Sequence, residues 1–269
     1  MPKILFSPYN DMRRWICAAA MTAAICLPAP AQQRELTVMT YTLRYGELAT
    51  MERLAEEIRG AEPDFVALQE VDVDCHRKDA PLNSGVNYIN ELAHLTGMFG
   101  FYGRALTRDD GGLYGIGLLS RYPAVRVEKM DLPNPQDVEP RVMLEGVFEV
   151  DSLRLGFSCA HLDWQHAEDR AEQARAIADR LSRSPIPAIV AGDFNATPDE
   201  PAYSIMTSAA ADLTDTVPTY PAKRPREKLD YIFAFPADSF QLLHTFVPEP
   251  SPTAPSDHLP VVSRIRVRF

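Results

Sequence analysis

At five places in this 269-residue chain a short run of apolar or small residues borders side chains that exchange protons or bind cations. Val66-Ala67-Leu68-Gln69 leads to Glu70, and Gly156-Phe157-Ser158-Cys159-Ala160 leads to His161. Val190-Ala191-Gly192 leads to Asp193 and, two residues on, to Asn195; Asp230 follows Leu229; Asp257 and His258 follow Ser256 and precede Leu259-Pro260. Carboxylates are hard oxygen ligands for a cation such as Mg2+. Imidazoles change charge near neutral pH, and a carboxylate beside one fixes its tautomer. Read singly, each segment also has a structural reading: Glu70 as a strand-end ion-pair partner, Asp193 and Asn195 as an Asx turn, Asp257 and His258 as a loop cap, and His161 as a core imidazole.

A sheet can aim strand-end residues from distant sequence into one cleft. From Leu36 onward, β-type runs alternate with helical segments. Strands are expected over 36–41, 65–69, 115–120, 141–150, 153–161, 186–191, 229–235 and 259–269, and helices over 49–59, 87–96 and 168–181. Gly97 is suited to a helix C-cap, Asp151-Ser152 to a turn, and Pro185 and Pro187 to stopping the last helix. The stretch between that turn-rich Asp193 region and residue 229 reads as a Pro-rich loop. Hairpin-like pairs mixed with strands separated by helices argue for an α/β or α+β fold, sheet buried and helices outside. No repeat or linker divides residues 32–269, so one domain is expected there.

The first 31 residues have a different character. Arg13 and Arg14 precede an apolar run from Trp15 to Leu27, then Ala29-Pro30-Ala31, the layout of a secretory signal cleaved before Gln32. Met12 is an alternative start. The apolar run falls short of the ~20 residues that span a bilayer, so a secreted or periplasmic protein without a transmembrane segment in its mature part is expected. Removing Lys3, Arg13, Arg14 and Asp11 from 27 basic and 37 acidic residues leaves 24 and 36, a net charge of −12. Such a surface repels polyanions, and the one basic stretch, Lys223-Arg224-Pro225-Arg226, reads as a solvated loop. A monomer with no stable nucleic-acid partner is expected. Two cysteines remain, Cys75 and Cys159, and two positions do not determine a disulfide.

Taken in order, the segments resemble the endonuclease/exonuclease/phosphatase superfamily, the DNase I-like metal-dependent phosphoesterases. The resemblance is carried by Thr40-Tyr41, Leu68-Gln69-Glu70, Leu119-Ser120-Arg121-Tyr122-Pro123, Ala160-His161-Leu162-Asp163, Gly192-Asp193-Phe194-Asn195, Leu229-Asp230-Tyr231-Ile232 and Ser256-Asp257-His258. It implies an α+β fold, a four-layer αββα sandwich with the site at one edge of two sheets. It further implies Mg2+, with Mn2+ as a substitute, on Glu70 and in part on Asp257, and a phosphoester as substrate. By the same resemblance Asp193 and Asn195 face the scissile phosphate, His258 contacts it with Asp230 behind the ring, and His161 is a second phosphate contact or the acid for the leaving group. No Ser or Cys stands in a nucleophile elbow, so direct water attack is expected.

A nuclease of the same chemistry, or a binding protein on a degenerate scaffold, are the alternatives. Thr42 stands where the family usually has Asn, which puts phosphate positioning in question there. Thr42, Tyr114 and Arg121 are carried as substrate-binding candidates, Tyr220 as a groove aromatic, and Arg141 as a sheet ion-pair residue.

Overall fold

Most strands lack an alternating polar pattern because both faces of each sheet are covered. A computed structural model describes residues 32–269; the expected signal segment, residues 1–31, lies outside the described residues. In order along the chain the elements are β1 (Gln33–Thr42), α1 (Met51–Gly60), β2 (Phe65–Val73), α2 (Tyr88–Thr96), β3 (Phe99–Thr107), β4 (Leu113–Ser120), β5 (Ala124–Asp131), β6 (Val142–Val150), β7 (Leu153–His161), α3 (Ala167–Leu181), β8 (Ala188–Asp193), α4 (Pro201–Ala209), β9 (Ala211–Asp212), β10 (Asp230–Phe235), β11 (Phe240–Phe246) and β12 (Val261–Arg268). They form two mixed six-stranded sheets, ordered β11-β12-β1-β2-β4-β3 and β5-β6-β7-β8-β10-β9. The parallel pairs are β1 with β2 and β7 with β8.

Successive strand residues point to opposite faces, and β2 shows how the layers arise. Phe65 and Ala67 enter the core between the sheets with Leu36, Phe157 and Ile232, while Val66 and Leu68 face outward against Leu54, Ile58 and Leu92 of α1 and α2. Phe65 sits with its ring centroid 5.1 Å from Phe148 and 5.0 Å from Phe157, joining the two inner faces. On the far side Ala174, Ile177 and Met206 of α3 and α4 cover Val190, Tyr231 and Phe233. The result is the expected α+β sandwich of four layers.

Local signals held at several ends. Asn87 caps α2 by accepting from the Asn90 N–H at 3.1 Å, and Gly97 ends it in the left-handed region at φ 69°. Two expectations require correction. The loop after Asn195 contains α4, whose nine residues bury only Ala202 and Met206. The strands β3, β5, β9 and β11 were not anticipated, and β2 continues past Gln69 to Val73. Cys75 and Cys159 are both buried and free, Cys159 in the core between the sheets. No helix among the described residues is long and apolar enough to cross a membrane.

Candidate active site

Strand register accounts for the meeting of residues far apart in sequence. His161 at the end of β7 lies opposite Asp193 on the parallel β8, and Asp193 lies opposite Asp230 on the antiparallel β10. One row of functional side chains therefore crosses the end of the second sheet, and a slip of one residue would turn a member to the other face. Gly192 permits the close approach, since a Cβ there would stand 1.9 Å from the Ala160 carbonyl oxygen. Past the strand, Asn195 takes a left-handed conformation at φ 48°. Its backbone N–H donates to Asp193 Oδ1 at 2.8 Å, and its amide donates to the Leu162 carbonyl at 3.0 Å.

His258 comes in from the loop before β12. Its Nδ1 lies 2.9 Å from Asp230 Oδ2, and its Nε2 lies 3.7 Å from Asp193 Oδ2. Thr219 donates its hydroxyl to the same Asp230 oxygen at 2.5 Å, and Tyr220 packs its ring 4.8 Å from the imidazole. His161 Nε2 is 3.6 Å from Asp193 Oδ2, while Arg141 Nη1 is 3.0 Å from His161 Nδ1. A guanidinium only donates, so Nδ1 accepts and the neutral His161 ring carries its proton on Nε2, on the Asp193 side.

Glu70 reaches the site by a different device. The pairing of β2 with β4 shifts register between Leu68 and Val71, and Glu70 sits in that bulge at φ 56°. Bulges re-aim side chains beside functional sites. Its carboxylate makes no hydrogen bond or ion pair among the described residues. Together Glu70, Arg141, His161, Asp193, Asn195, Asp257 and His258 line a cleft of ≈410 Å³, with Trp164, 62% exposed, on its wall.

The charges in this cleft are strongly coupled. Burial, then the like charge of Asp257, push the Glu70 carboxyl up to about 7. Burial raises Asp193 above the carboxylate range; Asp230 adds to the rise, and His258 opposes it. Burial alone would lower His258, but the carboxylates of Asp230 and Asp193 outweigh it and lift the imidazole to about 10. Burial, Arg141 and His258 all hold His161 well below its ordinary value. One histidine is thus an imidazolium and the other neutral, as the two environments dictate.

Two donor sets could suit a divalent cation. Asp193, Asp230 and His258 bring ligand atoms within 4.8 Å of one another, but His258 holds a proton and Asp230 Oδ2 is already engaged by two hydrogen bonds. Glu70 is an uncompensated carboxylate in the cleft; Asp257 accepts from Ser256 on Oδ1 at 3.4 Å and pairs Oδ2 with Arg44, while Asp230 keeps Oδ1 without a partner. Among these donors Glu70 is the carboxylate with no hydrogen-bond or ion-pair partner among the described residues.

Three sequence candidates are not among the residues that line the cleft. Thr42 is buried and donates to Gln69 Oε1 at 3.3 Å, away from the cleft walls. Arg121 donates to the Pro63 carbonyl at 2.7 Å, at the end of β2 opposite Glu70. Tyr114 is buried with Arg77 over its ring at 5.4 Å. Thr42 and Arg121 are held by these local bonds, whereas the buried Tyr114 phenol stands close enough to Glu70 and Arg141 for both charges to act on it. Arg141, read as structural, is a cleft residue; it and His161 stand about equally far from the Asp151-Ser152 turn, so counting back along the hairpin would have paired them. Trp164 and Arg170 were not singled out, being ordinary loop and helix residues by spacing.

The sequence model of the endonuclease/exonuclease/phosphatase family matches residues 44–258. By sequence, no curated protein matches the chain. Among solved structures, an endonuclease/exonuclease/phosphatase from Beutenbergia cavernae is similar with a TM-score of 0.73 and 25% identity, over 87% of this chain and 72% of that one. The catalytic domain of human nocturnin, crystallised with a sulfate anion, superposes with a TM-score of 0.67 at 21% identity, over 87% of this chain and 97% of its own. A mannosyl-6-phosphatase from Bacteroides thetaiotaomicron gives a TM-score of 0.65 at 20% identity, over 86% and 99% of the two chains.

Proposed function

Because the chain belongs to the endonuclease/exonuclease/phosphatase family, whose members generally hydrolyse phosphoester bonds, we propose that it is an exported, Mg2+-dependent hydrolase of a small phosphoester, attacking with water directly. The observation that carries this reading is the row His161, Asp193, Asp230 with His258 closing on it, beside an uncompensated Glu70. Glu70 and Asp257 are the residues that would hold the cation, which when bound neutralises charge on the phosphoryl and leaving oxygens.

The protein's own groups supply the rest. His258, kept protonated by Asp230, donates from Nε2 toward a phosphoryl oxygen. Asp193 has a raised proton affinity and lies beside both imidazoles, which suits it to take the proton of the attacking water. Asn195 is fixed by its bonds to Asp193 and Leu162 and keeps its amide oxygen to orient that water. His161 is neutral with its proton on Nε2, so it acts as a phosphate-facing hydrogen-bond donor rather than as the acid for the leaving group. Arg141 behind it adds fixed positive charge.

The net charge of −12 for residues 32–269 favours a small substrate over a long polyanion. The test is incubation of the chain with p-nitrophenyl phosphate, bis-p-nitrophenyl phosphate, inositol phosphates, sphingomyelin and plasmid DNA, each with Mg2+, Mn2+ or EDTA. Turnover of a small ester that Mg2+ supports and EDTA abolishes is expected. Turnover of plasmid DNA alone, or turnover unaffected by EDTA, would overturn the assignment.

A further inference from the structure

A second cavity, larger than the catalytic cleft at ≈920 Å³, adjoins it: Tyr220, Glu227 and Asp257 line both. Lys223, Arg224 and Arg226 line only the second. All three are exposed, and none has a carboxylate within ion-pair distance among the described residues. Arg44 also reaches this cavity, but its charge is met by Glu47 and Asp257. Glu227 on the same wall also lacks an ion-pair partner, so the three cations leave that cavity with a surplus of positive charge, on a chain whose net charge is strongly negative.

Their loop is built rather than loose. Tyr220 and Glu227 pair across it, with N–H to carbonyl distances of 3.0 Å in both directions. Arg226 N–H donates to the Tyr220 carbonyl at 2.8 Å, Arg224 N–H to Pro221 at 2.9 Å, and Ala222 N–H to the Asp257 carbonyl at 2.6 Å. The last bond ties the basic loop to the residue before His258. Three cations on one closed loop, within reach of a cleft that handles a phosphate, form an anion site with a fixed relation to the reacting group.

We infer that Lys223, Arg224 and Arg226 form a subsite for a second anionic group on the substrate, so that the preferred ligand is a small molecule bearing a phosphate or carboxylate remote from the scissile phosphoester. The inference rests on the phosphoesterase reading and deepens it. A small bis-anion fits better than a nucleic acid, since these three cations sit on one short loop while residues 32–269 as a whole, at a net charge of −12, repel a long polyanion.

The test compares fructose 1,6-bisphosphate with fructose 6-phosphate, as competitors of p-nitrophenyl phosphate turnover and by titration calorimetry, on the full chain with Mg2+. The bisphosphate should bind on the order of ten-fold tighter, the yield of two or three exposed charge pairs, and the gap should narrow as salt rises. It should close in a Lys223→Ser, Arg224→Ser, Arg226→Ser variant and persist in Lys223→Arg, Arg224→Lys, Arg226→Lys, whose thermal melts verify folding. Equal affinity for the two ligands, or a gap untouched by charge removal, would overturn the subsite. A single-stranded oligonucleotide that competes better than the bisphosphate would overturn the small-ligand assignment. Calorimetry reads the gap even where no ester is turned over, so failure of the hydrolytic reading and failure of the subsite remain distinguishable.

Discussion

A carboxylate that is half-buried beside a like charge, with no cationic partner, is the kind of ligand a hard cation satisfies. Glu70→Gln keeps the shape and removes the charge, so it should raise the Mg2+ concentration needed for half-maximal turnover and cut the maximum. Changes outside a metal's immediate ligands cost 10–100-fold, so loss of a ligand should cost at least about 100-fold; a metal titration of both proteins decides. Asp230 and His258 share one 2.9 Å hydrogen bond and should act as a unit. Asp230→Asn and His258→Gln should each lose on the order of 10²–10⁴ in rate, and the double variant little more than the worse single one. Rate losses that multiply would show independent roles. The same pair sets a pH dependence of stability. His258 binds its proton more tightly folded than unfolded, so its contribution is full below an imidazole's ordinary value near 6.5 and fades as pH rises through about 10. In EDTA, the stability difference between the wild type and His258→Gln should shrink over that window in denaturant titrations. Thr42 completes this scale. Its hydroxyl and that of Thr40 both reach Gln69 Oε1, and its carbonyl accepts from Ser256. An amide does not fit there without displacing that network, so Thr42→Asn should lower the thermal midpoint, by roughly 1–3 kcal/mol of stability, and should not raise turnover ten-fold.

The elements that carry these residues differ in how much their sequences disclose. The strands β7, β8 and β10 end or begin on the functional row, and their buried runs are legible because a strand covered on both faces reads as continuous apolar residues. The edge strand β5 has no such signature: Ala124–Asp131 buries none of its residues fully, so neither alternation nor an apolar run marks it. In β3 glycines interrupt the run, and α4 buries two residues in nine, too few for a helical stripe. The bulge at Glu70 was equally invisible, because nothing in Gln69-Glu70-Val71 announces a left-handed residue within a strand. Type and order of the site residues were therefore legible, and the hairpin count would have paired Arg141 with His161, while the backbone that aims Glu70 was not legible. The tightest point of the scaffold is Gly192. Gly192→Ala puts a methyl 1.9 Å from the Ala160 carbonyl and must push β8 from β7. The expected result is a fall of roughly 1–3 kcal/mol in stability together with loss of activity, read by denaturant titration and by turnover in the fraction still folded.

For the whole molecule, the change in charge and the proposed signal cleavage meet at one boundary. The strand β1 opens at Gln33, and Gln32 already accepts from the Phe269 N–H at 3.0 Å, so a chain cut before Gln32 keeps every described element. N-terminal sequencing of exported protein should begin at or near Gln32; an intact Met1 or Met12 would refute the signal reading. That cut has an optical consequence. The full chain has two tryptophans, Trp15 and Trp164, and only Trp164 lies after residue 31. The processed protein would then emit from a single indole, standing on the wall of the cleft beside Arg141 and His161. Its fluorescence belongs to one place, so any shift or quench on adding a ligand is a signal from the site itself, obtained without a label and independent of turnover.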